Sequence, residues 1–190
     1  HHRVAQPDIR EVYVDALLNH FNNLTDGPLS IPANTVRTFH EEFDWQYGDM
    51  SVISIFPHMH LIGSSFKVWS LDENNDTTRL ISIPKWAFHW QGFYEYQKPV
   101  HITDPSQLWA EASYDNTTNN ADNPSNPPQD VEAGEHTTDE MMLSFFTYTE
   151  YMLGDEDIIL DSSLISSAPL VDPQNSILQV YPNPVRDQLT

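Results

Sequence analysis

The chain of 190 residues sets 28 acidic against 8 basic side chains, a net charge of −20, and has no cysteine. Nucleic acid and anionic membrane surfaces repel such a polyanion, and without thiols there are no disulfides, zinc–thiolate sites, iron–sulfur clusters or cysteine nucleophiles. A hydrophobic share of 39% with 12% aromatics suffices for one domain with a sizeable core plus a tail, while no run of about 18 apolar residues marks a membrane span.

The opening His1-His2, with no initiator Met and no signal-like segment, reads as a cut edge and is set aside. Residues 10–18 mix β-branched and aromatic residues and read as a strand, with a helix as the alternative. Thr25-Asp26-Gly27-Pro28 turns the chain. From Thr35 to Phe43, Val36, Thr38 and His40 alternate with Arg37, Phe39 and Glu41, the period of a strand. Tyr47-Gly48-Asp49 then turns into Ser51-Val52-Ile53-Ser54-Ile55-Phe56-Pro57, which runs up to His58-Met59-His60. Ser65–Leu71 puts Phe66, Val68 and Ser70 on one face, Asp72–Asp76 is a polar hairpin turn, and Thr78–Ile83 returns. Residues 84–93 are aromatic and irregular. Tyr94–Val100, Leu108–Tyr114 and Met141–Tyr148 complete the strands, and the Asn/Pro-rich stretch 115–130 is a long polar loop. Short strands at regular spacing without a helical pattern predict an all-β, antiparallel β-sandwich, jelly-roll-like, of about eight or nine strands.

Side chains at i and i+2 of a strand share a face, so His58 and His60 are delivered side by side, with Cα atoms about 7 Å apart. Ile53, Ile55, Met59 and Leu61 fall on the other face and read as core. Taken alone, two histidines at the mouth of a strand without a metal are the plainer reading, and Met141 alone reads as a core methionine.

The order of motifs changes that balance. His58-Met59-His60-Leu61-Ile62-Gly63, Phe88-His89-Trp90-Gln91, Tyr114-Asp115-Asn116, the Asn/Pro-rich 119–128 and Thr138-Asp139-Glu140-Met141 follow one another. Together, over roughly 31–150, they resemble the catalytic, C-terminal half of the copper type II, ascorbate-dependent monooxygenases, in a bacterial form. The resemblance implies copper held by His58, His60 and Met141, an open position for O2, an ascorbate-like reductant, and hydroxylation of an sp3 C–H bond of a small-molecule substrate. Imidazoles with a soft thioether suit copper that cycles through Cu(I). Met142 is the competing thioether, but alignment on Asp-Glu-Met selects Met141.

The departures are equally informative. Peptide-amidating members carry an Arg two positions before the first ligand His and Asn and Tyr after the ligand Met. Here these positions hold Phe56, Leu143 and Phe145. A peptide carboxylate has no anchor, so the expected pocket is apolar and aromatic. In the family a second copper sits on three histidines of an upstream domain of the same polypeptide, and that domain is the expected partner. His20, His40, His89, His101 and His136 do not form its pattern, and His136 is the candidate to support a ligand from behind.

The expected organisation is a copper-binding sandwich over 1–153, a Pro/Ser-rich linker over 154–174 and, over 175–190, the start of a truncated sorting domain. The last rests on Tyr181-Pro182-Asn183-Pro184-Val185, which resembles the opening of a type IX secretion sorting domain and implies secretion or surface display by a Gram-negative cell. Two other readings stand beside this one: a non-catalytic copper-binding module with the same ligands, and a carbohydrate-binding or adhesion sandwich using Trp86, Trp90 and Trp109. The expected partners include no nucleic acid and no membrane insertion.

Overall fold

A computed structural model of the chain describes residues 10–160. The serine pairs 162–163 and 166–167 and the sorting-domain resemblance at 181–185 lie outside the described residues. Within them the strands are β1 (Tyr13–Asn19), β2 (Ser30–Ile31), β3 (Thr35–Trp45), β4 (Met50–His58), β5 (Gly63–Asp72), β6 (Thr77–Ile83), β7 (Tyr94–Ile102), β8 (Ser106–Asn116), β9 (Val131–Glu132) and β10 (Leu143–Glu150).

Period-two patterning decides how they pack. In β8 every second residue from Ser106 to Asn116 is buried, and Leu108, Ala110, Ala112 and Tyr114 form its core face. β8 pairs antiparallel with β3 and β5, and β6 completes a sheet of order β3-β8-β5-β6. The second sheet, β1-β10-β4-β7, is also antiparallel throughout. The two sheets bury Phe39, Phe66, Val68 and Tyr114 of one against Val52, Ile55 and Phe146 of the other. The expected all-β antiparallel sandwich is what the chain forms, with eight long strands in two sheets and the short β2–β9 pair beside them. The expected polar hairpin is present. Asp72 Oδ1 accepts the amides of Asn74 and Asp76, both at 2.8 Å, and Asn75 takes the left-handed conformation, φ 65°, that asparagine tolerates.

In β3 Phe39 and Glu41 face inward, while Val36 is 60% exposed. Two expected core positions, Ile53 and Leu61, are corrected. In β4, Ile53 is not core. Val52 pairs with Tyr148 and Val100, Ser54 with Thr147 and Glu95, and Ile53 is passed over on both sides. This bulge shifts the alternation by one residue. Met50 and Val52 face the core before it, and Ile55, Pro57 and Met59 after it. Phe56 and His58 therefore point away from the core. Leu61 is likewise only half-buried, and Ile62 takes the core position.

Residues 154–160, where the linker is expected to open, are tied to the rest of the domain at Asp155 and Leu160, while 156–160 are exposed. Asp155, 3% exposed, accepts Arg10 Nη1 at 2.6 Å, Ser51 Oγ at 2.7 Å and the Met152 amide at 3.0 Å, and the Leu160 amide donates to the Gln97 carbonyl. The Arg10 guanidinium, aided by the other two bonds, holds the Asp155 carboxyl down at about 2. Among the described residues no helix is long and apolar enough to cross a membrane.

Candidate metal centre

His58 is the last residue of β4 and sits opposite Leu143, the first of β10. The strand does not continue through His60 as the sequence pattern predicts. After His58 the chain leaves the ladder and turns at Leu61-Ile62. The two imidazoles nevertheless converge, with ring centroids 5.1 Å apart and planes at 87°. His60 is buried, 4% exposed, and His58 is half-buried. Met59 points into the core, fully buried, as expected.

Hydrogen bonding settles the tautomers. Gln91 Nε2 donates to the Phe88 carbonyl at 2.8 Å, which turns Gln91 Oε1 toward His58 Nδ1 at 2.5 Å. An amide oxygen only accepts, so His58 carries its proton on Nδ1. His60 Nδ1 lies 3.0 Å from the Asp139 carbonyl and is protonated for the same reason. Among the described residues neither Nε2 has a hydrogen-bond partner. Burial lowers the pKa of His58, against the opposing bond to Gln91 and with a smaller push from His60. Its ring is thus neutral at pH 7, the form that ligates a metal.

A buried carboxylate frames the pair. Glu140, fully buried, accepts the His60 amide at 2.9 Å and the Met141 amide at 3.3 Å on Oε2, and the Ile62 amide at 2.9 Å on Oε1. Burial pushes its carboxyl up to about 7, while the amides of His60, Ile62, Met141 and Gly63 pull the other way. One side chain therefore binds the histidine turn to the segment entering β10, and His60 and Met141 hang their amides on one oxygen. Gly63 closes the turn because a Cβ there would lie 2.9 Å from Met59 Cε and 3.0 Å from Trp86 Cδ1.

Met141 is half-buried and lies two residues before β10 rather than within it. Tyr114 Oη donates to its carbonyl at 2.9 Å. Burial, with the nearby Glu140 and Glu41, raises the Tyr114 phenol and keeps it a donor. Asn116, fully buried, donates Nδ2 to the carbonyls of Ile31 and Gln129 and accepts Asn123 Nδ2 at 2.9 Å. The Tyr-Asp-Asn motif thus props Met141 at one end and anchors the long polar loop at the other. His20 packs its Nδ1 against the amide and carbonyl of Met142, and its buried Nε2 has no partner.

His136 does not support a ligand. Its side chain is 88% exposed and bonds Asp139 Oδ2 within its own turn. His40 and His101 pair with Asp26 and Asp49 on the surface. The supporting groups are instead Gln91, Glu140 and the Asp139 carbonyl. Of these, Gln91 and the Asp139-Glu140 pair stood in the motifs, but nothing in the sequence said what they would bond. Beside His58, Phe56 stacks at 6.2 Å and meets Phe93 at 5.0 Å and Phe145 at 5.9 Å, an aromatic floor on the outer face of the sheet. Trp86 is 6% exposed and Trp109 stacks on Trp69 at 6.1 Å, so two of the three tryptophans suggested as sugar platforms are packed against neighbours.

Among the described residues no three His, Cys, Asp or Glu side chains converge on one point. Two imidazoles open at Nε2, with the Met141 thioether, would suit a soft metal such as Cu(I). No curated protein matches this chain. The family model for the copper type II ascorbate-dependent monooxygenase, C-terminal domain, matches residues 36–157, and the chain belongs to that family.

Proposed function

We propose that His58 Nε2, His60 Nε2 and the Met141 thioether hold one copper ion, and that the chain is the oxygen-binding domain of a monooxygenase that hydroxylates an sp3 C–H bond with O2 and an external, ascorbate-like reductant. The observation that carries this reading is the pair of imidazoles, each engaged at Nδ1 and, among the described residues, unpartnered at Nε2, on rings 5.1 Å apart. Bound copper supplies one-electron chemistry with O2 that no side chain here possesses.

The protein's own residues select the metal and the substrate. A thioether beside two imidazoles favours the reduced ion. Gln91 and the Asp139 carbonyl keep both Nε2 lone pairs available, and Glu140 holds His60 and Met141 in register. Phe56, Phe93 and Phe145 give the approach to His58 an apolar surface that displaces water and orients an apolar substrate. Phe56 stands where amidating relatives carry an arginine, so a peptide carboxylate is not the recognised group. The reading includes an upstream copper domain of the same polypeptide as the source of the second electron, and export to the cell surface by the type IX route.

Cu(I) titration of the wild type, His58→Ala and Met141→Ala tests the assignment. About one ion per chain is expected for the wild type, with affinity lowered by tenfold or more in each variant. Unchanged Cu(I) binding in both variants sinks the ligand set.

A further inference from the structure

At the far end of the sandwich from His58, roughly 26 Å away along β4, the edge strands β1 and β3 leave a cavity of about 510 Å³. Its walls include Tyr13, Trp45, Tyr47 and Tyr148, with the carboxylates of Asp49 and Glu150, and among the described residues no Lys, Arg or His lines it. Tyr13 and Tyr148 are cross-strand partners stacked at 5.4 Å. Trp45 meets Tyr148 edge-on at 5.3 Å and Tyr47 at 5.2 Å. Trp45 and Tyr148 form a buried floor, 5% and 9% exposed, while Tyr13 and Tyr47 stand open at 42% and 75%.

Three of these four rings have their polar handles engaged. Tyr13 Oη donates to Glu11 Oε2 at 2.8 Å, Tyr148 Oη to Asp15 Oδ2 at 3.0 Å, and Trp45 Nε1 to the Gly48 carbonyl at 2.6 Å. Asp49 is also occupied, by His101 Nε2 and the Asp104 amide. A phenol that donates to a carboxylate has a more electron-rich ring, which strengthens its attraction for a cation over the face. Arg10 bonds the Glu150 carbonyl and forms an ion pair with Asp155. The cavity therefore offers aromatic faces and a negative field, with few free acceptors for N–H donors.

We propose that this cavity is a binding site for a small organic cation bearing a methylated ammonium group. In its fully methylated, quaternary form such a cation has no N–H to satisfy and loses less hydration than a primary ammonium on entering an aromatic box. A cavity of this volume lies within the range of small-molecule pockets. The site shares no residue with the copper ligands, so it stands whether or not the chain binds copper.

The test is NMR titration of the 190-residue chain, read at the Trp45 indole N–H, with choline, with its uncharged isostere 3,3-dimethyl-1-butanol, and with Nα-acetyl-lysine methylamide. Choline is expected to shift that resonance saturably, with the isostere and the lysine derivative each binding about fivefold or more weakly. Tyr47→Ala, at an open position that leaves the fold intact, should weaken choline about fivefold, and Glu150→Gln about twofold. Equal binding of choline and its isostere, no saturable shift at Trp45, or an unchanged Tyr47→Ala affinity overturns the proposal. Lysine-derivative binding as tight as choline overturns the assignment to a methylated ammonium and points to a partner's lysine.

Discussion

Glu41 and Glu140 are the same residue type, both fully buried in the same sandwich. Glu140 receives backbone amides on both oxygens, whereas among the described residues neither oxygen of Glu41 has a partner. Burial raises both carboxyls, yet Glu140 is held at about 7 and Glu41 rises to about 9. The difference is what donors accomplish against the same desolvation. At Glu140 the carboxylate is an organising centre for the histidine turn. At Glu41 an unpaired acid is a cost that the rest of the core must outweigh.

Removing the organising centre should have the largest effect. Glu140→Ala strands the amides of His60, Ile62 and Met141 in the interior, and at about 1–3 kcal/mol for each the loss is expected near 5 kcal/mol. Urea denaturation measures it, and Cu(I) affinity should fall with it as the turn loosens. If Glu140→Ala costs no more than Glu41→Ala, the distinction between the two acids fails.

The opposite outcome is expected at Glu41, through pH. Its folded pKa of about 9 lies above the ordinary glutamate value of 4.5, so the folded state holds a proton that the unfolded state releases. Its contribution to stability is intact below about 4.5 and declines by about 1.4 kcal/mol per pH unit until pH passes 9. Glu41→Gln lacks this slope. From pH 5 to pH 8 the variant should therefore gain about 4 kcal/mol relative to the wild type. Glu140 titrates in the same direction in both proteins and cancels. A difference that stays flat with pH would mean that Glu41 has a partner or access to water.

How much of this was legible in the sequence depended on the length scale of each interaction. Phe66, Val68 and Ser70 were readable as one inward face because their pattern is local and uninterrupted. Ile53 was misread because a bulge is set by both neighbouring strands and leaves no mark in an apolar run. The convergence of His58 and His60 was anticipated, though the end of a strand and a turn produce it rather than a continuing strand. His136 drew attention by proximity in sequence to Met141, and the structure turns it to solvent. Glu140 sat in plain view inside a motif, but its partners are backbone amides 78 and 80 residues away. An amide belongs to every residue type except proline, so a bond to one has no signature in composition or spacing.

The smallest expected effect lies between the two acids, at Tyr114, whose phenol feels the charge of both. Its ring is fully buried and meets Phe39 at 5.9 Å, so Tyr114→Phe keeps the packing and deletes only the hydroxyl that donates to the Met141 carbonyl. Losing that bond should cost about 1 kcal/mol. Met141 would still be held through its amide by Glu140, so Cu(I) affinity should fall only about threefold or less. Denaturation and Cu(I) titration on the same preparation separate the two contributions. Should Tyr114→Phe lower Cu(I) affinity as far as Glu140→Ala does, the support for Met141 comes through its carbonyl. The buried carboxylate then acts on the histidine turn alone.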